Sequence, residues 1–209
     1  MAPYLDEPLR SYLDQLASDA PTPGGGSVAA LVGALGAGLN SMVASFTVGR
    51  PKYAAVEAEV KGLHEESEKQ RQRLEELVVA DSEAYGEVSA AYGMPRQTKA
   101  EKQARSAAIQ EALTSALAVP REAAHLCGEV LELAEKLVHK GNRNLLSDVG
   151  CAVELARAAL ECAALNVEIN LRGLKDEAFV RQARAELEAL IAQGRELRDK
   201  VWQEVLAKM

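Results

Sequence analysis

Apolar positions recur at intervals of three and four along nearly the whole chain, and no stretch alternates apolar with polar at period two. That pattern predicts an all-α protein, a multi-helix bundle. A short amphipathic helix is expected near residues 6–18. A second, from about Ser27 to Val48, is apolar on every side, as a central buried helix would be, and stops where Gly49 and Pro51 follow. Residues 53–92 form a third. Its middle, "HEESEKQRQRLEEL", is a charged surface with Glu65 four residues before Lys69; its later half carries a stripe of Leu74, Leu77, Val78, Tyr85, Val88 and Tyr92, and Asp81 falls on that stripe. "YGMPRQT" interrupts the pattern, and a helix resumes near Ala100. Pro120 lacks a backbone donor and crowds the preceding turn, so it is expected to kink or divide this element. Gly141 and Asn142 stop it. Ser147 is placed to cap a helix over 148–171, whose inner face is Val149, Val153, Ala156, Leu160, Ala163 and Val167. A last helix from about Asp176 sets Val180, Ala183, Leu187, Leu190, Gly194, Leu197 and Val201 in a packed seam, whose partner lies either within the subunit or across a dimer. No repeat or linker intervenes, so residues 1–209 are expected to form one domain.

Composition narrows the function classes. The chain is 26% charged and 48% apolar with a net charge of −7, the profile of an acidic globular protein rather than a disordered one. No clustered basic surface is visible, which argues against nucleic-acid binding. Cys127, Cys151 and Cys162 are an odd set without CxxC spacing, and His64, His125 and His139 are scattered without an HExxH pair. Reduced cysteines and no metal site are therefore expected. The opening "MAPYLDEPLRSYLDQL" is acidic and lacks the basic lead and apolar core of a secretory signal, so the expected location is cytoplasmic.

One segment needs a chemical explanation. "PTPGGGS", Pro21, Thr22, Pro23, Gly24, Gly25, Gly26 and Ser27, runs directly into the apolar helix. A span of about 20 residues is long enough to cross a bilayer, but Asn40, Ser41, Ser45 and Thr47 crowd its far end and no aromatic belt flanks it. No membrane insertion is expected. A phosphate loop is excluded because no GK[ST] follows. There remain a flexible turn between helices, or a loop whose permissive backbone and following helix N-terminus cradle an anionic or carbonyl-bearing ligand.

Other polar residues carry similar alternatives. Asp81 on an apolar stripe is either the partner of some cation or a functional acid with a tuned pKa. Asp148 in a first helical turn is explained by the helix dipole alone. Asn166 and Asn170, four apart, project from one side of their helix and either read a heterocycle or tie helices together. Arg50, Lys52, Lys140 and Arg143 lie at helix ends, as solvated charges or as receivers of a polyanionic tail.

With these residues in place the chain resembles the cyclodeaminase/cyclohydrolase family of folate enzymes. The resemblance rests on "PTPGGGS" at 21–27, "SMVASFTVGRPKY" at 41–53, "ADSEAY" at 80–85, "KGNRNLLSDVG" at 140–150 and "ALNVEINL" at 164–171, and covers nearly the whole chain. It implies an all-α subunit, usually a homodimer, that binds tetrahydrofolate, with or without a polyglutamate tail, and requires no metal or nucleotide. The family's essential acid matches Asp81. The resemblance also implies a folate cleft lined by residues 21–27, Arg50, Lys52, Tyr85, Asn142, Arg143, Asp148, Asn166 and Asn170. One departure is "GRPK" at 49–52, where the family has "GK": Arg50 keeps the charge but not a lysine's proton chemistry. "YGMPRQT", "VPREAAHLCGEVLELAE" and "ALNVEINLRGLKDEAF" are closer to the stand-alone methenyltetrahydrofolate cyclohydrolases than to the deaminase domain fused to a formiminotransferase. Hydrolysis of methenyltetrahydrofolate is the expected activity. Release of ammonia from formiminotetrahydrofolate, and a non-catalytic folate-binding or partner-binding dimer, are the alternatives.

Overall fold

In the computed structural model, which describes residues 4–209, the chain forms six α-helices and two short 3-10 turns, with no strand among the described residues. Helix α1 covers Leu9–Leu16, α2 Gly25–Ser45, α3 Glu57–Gly93, α4 Lys99–Lys140, α5 Leu146–Leu171 and α6 Glu177–Lys208. The turns are Pro51–Val56, between α2 and α3, and Arg143–Leu145, between α4 and α5.

Local chemistry sets most of these boundaries. Gly49 adopts φ 73°, a left-handed conformation that favours glycine, and Pro51 opens the turn that follows. Thr98 and Glu101 form a reciprocal capping box at the start of α4: the Glu101 N–H donates to Thr98 Oγ1 at 3.2 Å and the Thr98 N–H to the Glu101 carboxylate at 2.9 Å. Asp176 accepts the N–H groups of Ala178 and Phe179 at the start of α6.

The helices pack around α4, which touches α2, α3, α5 and α6. Helix α2 lies against α3, α4 and α5 and runs antiparallel to both α3 and α5, since Gly26 meets Asp81 and Ser45 meets His64 along α3, while Gly25 meets Asn166 and Gly36 meets Ala152 along α5. The shared core joins Leu74, Leu77 and Val78 of α3 to Val130, Leu131 and Leu137 of α4 and to Val153 and Leu160 of α5. Each such side chain contributes roughly 1.5–3 kcal/mol on burial. The seam of α6 lies within the subunit. Val180, Ala183 and Val201 are buried, Gly194 seats the helix on Leu160 and Leu131, and Arg184, Arg195 and Arg198 pair with Glu168, Glu161 and Glu154 of α5.

Four expectations are corrected by the packing. Pro120 does not divide α4, which continues unbroken from Lys99 to Lys140 with Pro120 buried inside it. A proline costs a helix interior about 3 kcal/mol, and buried Leu113 and Leu117 on one side and Ala124, Val130 and Leu131 on the other anchor both halves independently. Ser147 does not cap α5, which begins at Leu146. Asn142 accepts the Asn144 N–H at 3.1 Å and starts the preceding turn instead. Lys69 pairs with Glu66 at 2.8 Å rather than with Glu65, in an exposed contact of little energetic weight. Finally, α2 is long and apolar enough to cross a membrane, yet it is not enclosed: its inner side is packed by three helices while Leu35 and Phe46 remain exposed.

Helix contacts at two glycines of α2 give a paired prediction. A Cβ at Gly36 would lie 3.2 Å from the Ala152 carbonyl oxygen, backbone that cannot move aside, whereas one at Gly38 would meet only Arg71 Cδ at 3.7 Å. Gly36→Val should lower the unfolding free energy by about 1–3 kcal/mol through overpacking. Gly38→Ala should raise it by about 0.4–1 kcal/mol through helix propensity. Urea denaturation of both variants measures the two signs.

Candidate active site

The three glycines are the first turn of a helix rather than a hinge. Gly24 is the N-cap of α2 in an extended conformation, and Gly25 and Gly26 are already helical. An N-cap glycine has no side chain to receive the first free N–H groups. Asp81 does this from across the helix pair: the Ser27 N–H donates to Asp81 Oδ2 at 2.9 Å. The approach requires glycine, because a Cβ at Gly26 would fall within the Asp81 carboxylate. At Gly25 a Cβ would only touch the Asn166 side-chain amide, at 3.4 Å. Thr22–Pro23, in the segment leading into this turn, is a cis peptide.

A second layer fixes Ser27. Its hydroxyl shares a 3.1 Å hydrogen bond with the buried Tyr12 hydroxyl, and the Tyr4 ring stands edge-on to Tyr12 with centroids 5.5 Å apart. The Tyr4 hydroxyl donates to Ser82 Oγ at 3.3 Å, next in sequence to Asp81. Helix α1 thus backs the site. Burial raises the Tyr12 phenol above its ordinary pKa.

In front of this arrangement lies a cavity of about 290 Å³. It is walled by Pro21, Thr22, Gly24 and Gly25 from the loop, Asp81, Ala84, Tyr85 and Val88 from α3, Ala116 from α4, and Asn166, Ile169 and Asn170 from α5. Asp81 is half-buried, and desolvation raises its carboxyl pKa while the Ser27 N–H works in the opposite direction. Among the described residues no lysine or arginine lines the cavity, and the fixed electrostatic support of the carboxylate comes from the N-terminus of α2. Asn166 donates to the Cys162 carbonyl at 2.9 Å and Asn170 to the Asn166 carbonyl at 3.0 Å. These bonds orient both amides along the helix and engage neither side-chain oxygen. The site therefore combines one carboxylate of raised basicity, two amide acceptors, an exposed tyrosine ring and an apolar floor. That set suits a flat, cationic, nitrogen-containing heterocycle.

Asp81, Tyr85, Asn166 and Asn170 thus meet the loop residues in one cavity. Pro23, Gly26 and Ser27 stand behind its surface as buried supports. Arg50, Lys52, Asn142, Arg143 and Asp148 do not line it. They sit at the opposite end of α2, about 30 Å away for a helix of 21 residues. There Asn142 ties the bundle together: its N–H donates to Thr47 Oγ1 at 2.8 Å and its amide to the Phe46 carbonyl at 3.1 Å, and the Arg143 N–H donates to the Tyr53 hydroxyl at 3.1 Å. Val88 is visible in the sequence only as part of the α3 stripe, and Ala84, Ala116, Ile169 and the supporting Tyr12 carry no signal there, since such wall and support residues look like any other helix face.

Comparison with known proteins supplies the family. The formiminotransferase-cyclodeaminase family model matches residues 8–189. A methenyltetrahydrofolate cyclohydrolase of Methylorubrum extorquens is 47% identical over 98% of both chains. The mouse formimidoyltransferase-cyclodeaminase is 32% identical over 91% of this chain, which spans 35% of that longer protein. The crystal structure of a formiminotetrahydrofolate cyclodeaminase from Thermotoga maritima superposes with a TM-score of 0.87 at 33% identity, covering 96% of each chain. On the extent of these matches, this chain belongs to the formiminotransferase-cyclodeaminase family.

Proposed function

We propose that this protein is a methenyltetrahydrofolate cyclohydrolase, which hydrolyses 5,10-methenyltetrahydrofolate to 10-formyltetrahydrofolate. The observation that carries the reading is Asp81, a half-buried carboxylate held by the Ser27 N–H in a cavity that no basic side chain lines among the described residues. Near-full-length identity to a protein of that name supports it. The substrate carries an amidinium cation whose carbon bridges N5 and N10, and a lone carboxylate in a low-dielectric wall favours such a cation over a neutral product. Asn166 and Asn170 offer acceptors to the donor edge of the pterin, and Tyr85 a face to its ring.

In this mechanism water adds to the bridging carbon and its proton passes to Asp81. The carbon becomes tetrahedral and the positive charge is discharged. The bond to N5 then breaks, Asp81 returns its proton to N5, and the carbinol hydroxyl loses its own proton to solvent as the formyl carbonyl forms. One water is consumed and one proton released. Burial raises Asp81 toward the pKa at which a carboxylate serves as base in one step and acid in the next.

Cyclodeamination is the second reading, favoured by the Thermotoga and mouse relatives. It passes through a tetrahedral centre at the same carbon, with N10 as nucleophile and ammonia as leaving group. A spectrophotometric assay separates the two, because the methenyl chromophore is lost in hydrolysis and gained in deamination. Loss is the expected outcome.

Asp81→Asn should cut turnover by roughly 10²–10⁴ and remove the acid limb of the kcat/KM profile, which in the parent protein should lie above the ordinary aspartate value of about 4. The same variant should be more thermostable at neutral pH. A folded-state pKa raised above the unfolded one means that the ionised form weakens the fold; the penalty is present at neutral pH and vanishes as pH falls below about 4. Melting curves at several pH values check that sign. Gly26→Ala should retain helical circular dichroism yet lose about 10²-fold or more in turnover, because the added methyl displaces the carboxylate. Full activity in that variant would remove Asp81 from the chemistry.

A further inference from the structure

Pro120 stands near the midpoint of α4, and proline is the least favourable residue for a helix interior. It has no N–H. The carbonyl of Ala116, four residues before it, therefore lacks its α-helical donor. The polar side chains nearby donate elsewhere: Thr114 to the Gln110 carbonyl at 2.8 Å, Gln110 to the Gly173 carbonyl at 2.8 Å, and Arg121 to Glu186. Among the described residues no side chain donates to Ala116 in place of the missing amide.

This acceptor does not face open solvent. Leu113, Ala116, Leu117 and Pro120 lie on one face of α4 and all four are buried. Leu113 packs on Gly173, and Leu117 clusters with Val167 and Leu171, so the face is turned toward α5 and its end. A carbonyl left alone in such a place is costly until a donor reaches it. Ala116 also lines the Asp81 cavity, together with Asn166 and Asn170 of α5, and the cavity is the route by which a donor from outside the chain arrives. The two asparagines direct their NH2 groups to the Cys162 and Asn166 carbonyls, and neither side-chain oxygen is engaged. Three uncharged oxygens without donors thus belong to one cavity.

We infer that Pro120 is a positioning residue for the substrate: by withholding its N–H it makes the Ala116 carbonyl a third acceptor of the cavity, and with Asn166 and Asn170 this carbonyl receives the N–H bonds of a 2-amino-4-oxo heterocycle. The inference rests on the folate reading above and extends it to the ring. A 2-amino group carries two N–H bonds and N3 a third, so donors and acceptors match in number. Asp81, in another wall of the same cavity, stays available to the bridging carbon. A ring without the 2-amino donors leaves buried oxygens unpaired, which is the strong form of discrimination between otherwise similar ligands. The proline in α4 then serves recognition where it disfavours the helix.

Pro120→Ala and Pro120→Val test this as a pair. Both supply the missing N–H, while one side chain is smaller than proline and the other larger, so an effect of volume separates from an effect of the amide. Each should keep the parent helical circular dichroism. Calorimetry uses 5-formyltetrahydrofolate, which is neither of the two candidate substrates. Both variants should bind it about 5- to 10-fold more weakly, the worth of one hydrogen bond, and KM for the methenyl substrate should rise by the same factor with a smaller change in kcat. A second probe, the same folate with methyl in place of the 2-amino group, removes the donor from the other side of the bond. It should bind the parent protein weakly and lose little more in either variant. Unchanged affinity in both variants, a loss in only one of them, or an equal further loss for the methyl probe overturns the acceptor role. A parent protein that binds no folate and turns over neither substrate overturns the functional reading and this inference with it; a parent that does both while the variants keep its affinity overturns the assignment to Pro120 alone.

Discussion

The hydrogen bond from the Ser27 N–H to Asp81 organises the cavity end of this bundle. It answers two needs with one contact. A helix that starts on glycines has no side-chain cap of its own, and a carboxylate placed on an apolar stripe has no counter-ion. Each satisfies the other, at the cost of a backbone approach that only glycine at position 26 permits. Burial raises the pKa of the carboxyl, and the helix end keeps its ionised form accessible. The same bond therefore serves the helix end and the carboxylate together.

The rest of the bundle holds these two helix segments in register. Helix α2 has little shape of its own, being mostly glycine, alanine and small aliphatics, so it takes position from what surrounds it. Gly33 admits Cys127 and Leu74, Gly36 admits the backbone of α5, and Asn40 reaches the Val130 carbonyl of α4 at 2.9 Å. Close backbone contact at several points along one helix leaves little freedom to slide, and this transmits the rigidity of α4 to the glycine end. Tyr12 and Tyr4 close the cavity end from behind, which makes the short α1 part of its support.

Much of the fold was legible from periodicity. The inner faces of α5 and α6 are the residues that spacing selects, because an amphipathic helix has one way to bury its stripe. Pro120 and Ser147 were misread for a shared reason: local propensity is worth at most a few kcal/mol, and packing along a 42-residue helix or a competing cap at Asn142 outweighs it. Tyr85 and Tyr92 continue the stripe of α3 in sequence but are about half exposed, since their part of α3 extends past the N-terminus of α2: Tyr85 walls the cavity, and the Tyr92 ring lies under the Arg105 guanidinium.

The sequence by itself determined the helices, their inner faces, the family, and the residue types that can carry folate chemistry, because each is written in local spacing or in a short motif. Only the tertiary structure decided which of those residues share a site. Asp81 and Gly26 are far apart in the chain and meet because α2 and α3 run antiparallel; Arg50 and Arg143 belong to the same set of motifs yet lie a helix length away. A motif names its members without their distances, and in a bundle of long helices position along the axis separates residues as effectively as facing opposite sides.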